Sequence, residues 1–134
     1  MVIACFASWH EHHQVARSAV DDAPALVAHC ALEAFSVLTR LPAPHRAPAE
    51  LVSTFLDDRF GADHLALDAP GHRTLVATLI NAGVSGGAAY DGLIAVVAAQ
   101  HGATLLTLDR RATTTYERLG TPFCLLAGAR SKPW

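Results

Sequence analysis

The sequence predicts an α/β domain with a mainly parallel sheet flanked by helices. Three observations predict it. Short apolar runs alternate with longer stretches of helical periodicity along the whole chain. Gly and Pro punctuate the joins between them. A chain of 134 residues, 51% hydrophobic and 16% charged, can bury one core but not two. In folds of this class, right-handed crossovers bring the carboxyl ends of the strands to one edge, and sites lie there.

Taken in order, Ser8-Trp9-His10-Glu11 reads as a capping box, with Ser8 as N-cap and Glu11 reaching back to its amide. It opens a helix over about 9–21 with Val15, Ala16 and Ala19 on one face, ended by Asp21-Asp22-Ala23-Pro24. Ala25–His29 is short and apolar and suits a buried strand. Cys30–Leu41 places Leu32, Phe35, Val37 and Leu38 at near-helical spacing and stops at Leu41-Pro42-Ala43-Pro44. Pro48 suits the first position of a helix over about 48–59. His64–Leu67 is a strand candidate closed by Asp68-Ala69-Pro70-Gly71, and 73–81 is helical again.

Gly83-Val84-Ser85-Gly86-Gly87 breaks the pattern before an Ala-rich helix over 88–100, which Gly102 stops. Ala103–Leu108, an unbroken ATLLTL run, is the clearest strand. A short helix over 112–119 ends at Gly120, and 122–126 is the last strand. The domain is expected to span 1–127, with 128–134 as a loose tail.

Ten Lys and Arg against twelve Asp and Glu give a net charge of −2, which excludes a broadly basic coat for nucleic acid. Nucleic-acid chemistry must therefore come from a local site. No stretch approaches the roughly 18 apolar residues of a membrane helix. MVIACFASWHEHH lacks the basic start and cleavage site of a signal peptide. Cys5, Cys30 and Cys124, odd in number and without CxxC spacing, read as buried thiols in a reducing cytoplasm.

Most of the twelve acids read as solvated surface or helix caps, including Asp21, Asp22, Asp57, Asp58, Asp63, Asp68 and Glu117. Three stand apart. Glu33 falls in the first turn of an apolar helix after the strand at 25–29. Asp109 directly follows the strand at 103–108. Asp91 lies one turn into the helix that begins after Gly86-Gly87. A parallel sheet would put Glu33 and Asp109 on one edge, with Asp91 in reach from the adjacent helix start. Carboxylates set in apolar sequence need compensation, because an unpaired buried charge costs several kcal/mol. A hard divalent cation would supply it, magnesium or manganese by ligand type. N-terminal helix capping is the competing explanation.

Two segments carry a resemblance. Ala88-Ala89-Tyr90-Asp91-Gly92-Leu93-Ile94-Ala95, followed by His101–Asp109 (HGATLLTLD), is similar to the YDALIAA…GATLLT-D signature of PIN-domain ribonucleases. Glu33 within Ala31–Pro42 resembles that family's second acidic position. Small size brings the chain nearest to VapC toxins of toxin–antitoxin pairs. The resemblance implies an endoribonuclease in which Glu33, Asp91 and Asp109 bind Mg2+ or Mn2+ and promote hydrolysis of RNA. Asp91 is the first choice as direct ligand, and Thr107 either orients a water or phosphate or is a plain strand residue. It also implies a structured RNA substrate such as tRNA or rRNA, a cognate VapB-like antitoxin, a homodimer and a cytoplasmic location away from membranes.

The family's first acid has no counterpart here. Family members open with a strand ending in Asp-Thr-(Ser/Asn), and Met1 stands where the apolar run after that strand begins. The expectation is a first central strand missing from this chain and a native start upstream of Met1. The alternative is a catalytically inactive PIN-fold protein that binds an antitoxin or RNA. A further option makes Val2–Phe6 itself the strand.

Other features carry less. His10-Glu11-His12-His13 is not HExxH and reads as a solvated helix start. The 83–87 glycines lack the GxGxxG and GxxxxGK[ST] spacings and should instead let the next helix pack closely. Arg40, Arg110, Arg111 and Arg118 are candidates for RNA phosphate contacts. Trp9 and Trp134 could stack on bases, packing being preferred for Trp9.

Overall fold

Helices and short strands alternate along the chain as the periodicity requires, in two units, Met1–His64 and Leu65–Trp134. The computed structural model describes residues 1–20, 24–61 and 63–126. Asp21, Asp22, Trp134 and the proposed tail at 128–134 lie outside the described residues.

In the first unit, α1 (Val2–Phe6) and α2 (His13–Ala19) precede a two-residue strand, β1 (Leu26–Val27), and two longer helices, α3 (Ala28–Arg40) and α4 (Ala49–Arg59). β1 pairs with β2 (His64–Leu65). Ala4, Cys5, Ala16, Leu38 and Val52 are almost fully buried and form the core where α1, α2, α3 and α4 meet. Phe6 and Phe55 close it edge to face at 5.1 Å, a favoured aromatic geometry. Leu41 and Pro42 end α3: Leu41 is extended, as a residue before proline must be. Ala47 then turns back to donate to Leu38 O at 2.9 Å.

In the second unit, α5 (Ala69–Asn81) and α6 (Ala88–Gln100) are followed by β3 (Leu105–Thr107), α7 (Ala112–Arg118) and β4 (Phe123–Leu125). β3 and β4 are parallel, with Leu105 opposite Phe123 and Thr107 opposite Leu125. Ala95, Ala112 and Tyr116 form a buried cluster against which Leu105, Leu119 and Phe123 pack. Buried Thr121 donates its hydroxyl to Ala95 O at 3.0 Å, so a polar group in this core is satisfied. Gly102 (φ +62°) and Gly120 (φ +67°) take the left-handed conformation that ends α6 and α7.

Several expectations are corrected. Val2–Phe6 is helical, not a strand. The capping box does not form: Ser8 is exposed, His12 is the N-cap of α2, and Glu11 pairs with His12 Nε2 at 3.3 Å. The helix placed at 9–21 is therefore confined to His13–Ala19, because 7–12 turn instead. Strands are shorter than their apolar runs, three residues for ATLLTL, since only the stretch that meets a partner is paired. The expected sheet is present as two two-stranded ladders among the described residues, β1 in one and β3 in the other.

Asp68 caps α5, one of the two roles expected for it, accepting from Gly71 N at 2.7 Å, with Pro70 in the first turn. Cys5 is buried, Cys30 half-buried and Cys124 exposed, because alternation along β4 turns Cys124 outward. Among the described residues, no helix is long and apolar enough to cross a membrane.

Candidate functional site

Asp91 stands in the first turn of α6 and is half-buried. The positive end of the helix favours its charge. Gly92, next to it, is buried because α5 and its following loop press on it. A Cβ there would collide with Leu79 Cδ2 and stand 3.5 Å from Val84 Cγ1 and 3.6 Å from Leu119 Cδ1. The loop itself is pinned by Val84 N donating to Leu79 O at 2.9 Å. Arg118 Nη1 donates to Gly83 O at 2.9 Å from α7.

Asp109 lies two residues past β3, after Leu108, and is exposed. Its amide donates to Thr107 Oγ1 at 3.0 Å, and its Oδ1 accepts from Arg111 N at 2.8 Å. Thr107 is buried, 6% exposed, so its hydroxyl is fixed beneath the turn. The carboxylate is thereby oriented, with Oδ1 committed to the backbone. Arg110 and Arg111 are exposed beside it, and Arg110 O accepts the Thr113 hydroxyl at 2.7 Å.

Glu33 belongs to the first unit, Asp91 and Asp109 to the second. Because α3 begins at Ala28, Glu33 falls in its second turn rather than its first, a correction to the expected position. Its side chain is 57% exposed and meets His29 Nε2 at 3.3 Å, one turn back. Arg40 is exposed in the last turn of α3.

The donors fit a hard cation by chemistry, being carboxylate oxygens. Within each unit, among the described residues, no three His, Cys, Asp or Glu side chains gather closely enough to hold a metal ion. The histidine-rich stretch, expected to open a helix, is held by bonds to the backbone. His10 Nδ1 accepts from His12 N at 3.1 Å, and His13 Nδ1 bonds Ala4 O at 2.8 Å. Trp9 is 49% exposed and leans on His45 at 4.3 Å, so it is not packed into the helix start as expected.

Three features escaped the sequence reading. The close approach at Gly92 has no spacing signature, and the packing role expected of the 83–87 glycines belongs to it: Gly86 and Gly87 have open space around them. The Arg118–Gly83 tether spans 35 residues and is invisible in sequence. The His29–Glu33 pair could have been found from its i,i+4 spacing.

This arrangement, carboxylates at a helix start and at the turn after a parallel strand, is accompanied by a sequence match to the PIN domain over residues 1–118. The chain belongs to the PIN-domain family. It is 47% identical over 119 residues to the protein named Ribonuclease VapC40 of Mycobacterium tuberculosis, covering 89% of each chain. It is 37% identical over 117 residues to Ribonuclease VapC27 of the same organism, covering 87% of this chain and 78% of the relative. No solved structure gives a significant match.

Proposed function

We propose that this chain is an endoribonuclease, the toxin of a type II toxin–antitoxin pair, dependent on Mg2+ or Mn2+. The observation that carries the reading is the 47% identity to a protein named Ribonuclease VapC40, over a span that includes most of the chain. Glu33, Asp91 and Asp109 all fall inside the PIN match, and they are the residues that would hold the cation.

When bound, the cation supplies Lewis acidity and neutralises charge on the RNA phosphate. The chain's own residues do the rest. Asp91 presents its carboxylate from the first turn of α6. The Thr107 hydroxyl holds the Asp109 backbone amide and the Arg111 amide donates to Asp109 Oδ1, so this carboxylate is oriented before substrate arrives. Glu33, exposed and paired with His29 on α3, is the third carboxylate of the proposal. Arg40, Arg110 and Arg111, all exposed, contact RNA phosphates and make binding salt-sensitive.

The substrate is a structured RNA, of the tRNA or rRNA class, with a single-stranded loop whose bases can be splayed. A VapB-like antitoxin holds the protein in check, and it acts as a homodimer in the cytoplasm, through a PIN domain spanning 1–127. The test is metal removal. A labelled structured RNA should be cut by the protein with Mg2+ or Mn2+, left intact after EDTA, and cut again on adding metal back. RNA bound but never cut, with any metal, would make the chain a PIN-fold binding protein instead.

A further inference from the structure

α6 places Asp91, and three contacts within the second unit fix where α6 starts. The α5–α6 loop turns back at Gly83 (φ +69°), and Val84 N closes the turn on Leu79 O at 2.9 Å. Arg118, from α7, grips the Gly83 carbonyl at 2.9 Å. Leu79 and Val84, both buried, then lie over Gly92, where the absence of a side chain lets α5 and α6 approach. Leu119, on the residue after Arg118, closes the other side at 3.6 Å from where a Cβ would stand. Arg118 thus has a partner that is neither solvent nor nucleic acid.

We propose that Gly92, through Leu79, and Arg118, through Gly83, are positioning residues that set the direction of the Asp91 carboxylate. The inference rests on the assignment of Asp91 as a metal ligand made above. Ala is a far better helix former than Gly, so Gly92→Ala on an isolated helix would strengthen α6. Here a methyl group would collide with Leu79 Cδ2, so either the Leu79 side chain, itself buried, or the start of α6 has to move, and the proposal is that the helix start moves. Removing the δ carbons of Leu79 should relieve the collision. A Val at 79 keeps the site apolar while opening that space.

The experiment uses the full chain with Gly92→Ala, Leu79→Val, their double variant, Arg118→Leu and Asp91→Asn. Two readings are taken: Mn2+ affinity by electron paramagnetic resonance, and amide hydrogen exchange over 84–92. Gly92→Ala should weaken Mn2+ binding at least about tenfold and speed exchange over 84–92 by a similar factor. The Gly92→Ala/Leu79→Val double should return both to within about threefold of wild type. Arg118→Leu should speed exchange in the same segment while leaving the salt dependence of RNA binding unchanged, whereas loss of a phosphate contact would lower that slope by about one.

Gly92→Ala with wild-type exchange and affinity overturns the proposal. So does a double variant no better than Gly92→Ala alone, or Arg118→Leu with wild-type exchange. If Asp91→Asn binds Mn2+ as wild type does, the metal-ligand assignment fails. The exchange data still decide whether Gly92, Leu79 and Arg118 hold the start of α6.

Discussion

The amide of Asp109 donates to the hydroxyl of Thr107, two residues back, at 3.0 Å. Thr107 is buried, 6% exposed, at the end of β3, while Asp109 is exposed. The hydroxyl therefore transmits the rigidity of the parallel ladder to a carboxylate that would otherwise sit on a loose turn. Arg111 N completes the arrangement from the far side at 2.8 Å.

Thr107→Val removes this acceptor with little change of shape. It should cost about 1 kcal/mol of stability, the ordinary worth of one hydrogen bond, and lower RNA cleavage about tenfold or more. Thr107→Ser should keep both. Urea midpoints beside cleavage rates check the pair of effects.

Glu33 separates function from stability. Its partner His29 is one turn away and Glu33 itself is 57% exposed, so the pair contributes at most about 0.5 kcal/mol. Glu33→Gln should leave the unfolding midpoint nearly unchanged yet depress cleavage strongly. Equal cleavage by Glu33→Gln and wild type would remove Glu33 from the site.

The sequence was informative where local chemistry decides structure. α6 runs over Ala88–Gln100 as its composition required, and Gly102 ends it with a positive φ. Asp91 accordingly lies in the first turn of α6. The reading failed where neighbours decide. The His-rich start folds into turns because its imidazoles bond backbone atoms, His13 to Ala4 and His10 to His12, in place of a Ser8 cap. Glu33 falls two residues deeper in its helix than expected, in the second turn, because β1 is only two residues long and α3 begins at Ala28. Nothing local distinguishes Gly92 from any helical glycine; Leu79, thirteen residues back, is what lies against it.

His10 should make stability pH-dependent. Burial lowers its pKa below the ordinary 6.5, helped by His12 and the amino terminus and opposed by Glu11. Protonation would also remove the lone pair that accepts from His12 N. The folded state thus binds fewer protons than the unfolded chain near and below pH 6.5. This contribution is complete above pH 6.5 and is lost as the pH falls through the lowered folded value. His10→Asn should flatten the difference between urea midpoints at pH 7.5 and pH 5 relative to wild type.

Asp68 caps α5 through Gly71 N at 2.7 Å. Asp68→Ala should cost about 1 kcal/mol, and Asp68→Asn much less, since the amide oxygen can accept the same bond. The loss should appear in thermal unfolding with no effect on metal affinity, because the cap lies at the far end of α5 from Leu79.

The most direct test of the central claim is cleavage of a structured RNA pool with Mg2+ or Mn2+ by this chain beside Asp91→Asn, both shown to be folded by circular dichroism. Metal-dependent cutting by the wild type is expected, with a loss of at least about 100-fold in the variant, more than loss of a hydrogen-bond partner behind a metal ligand would cause. Cutting by both at the same rate, or by neither, would contradict it.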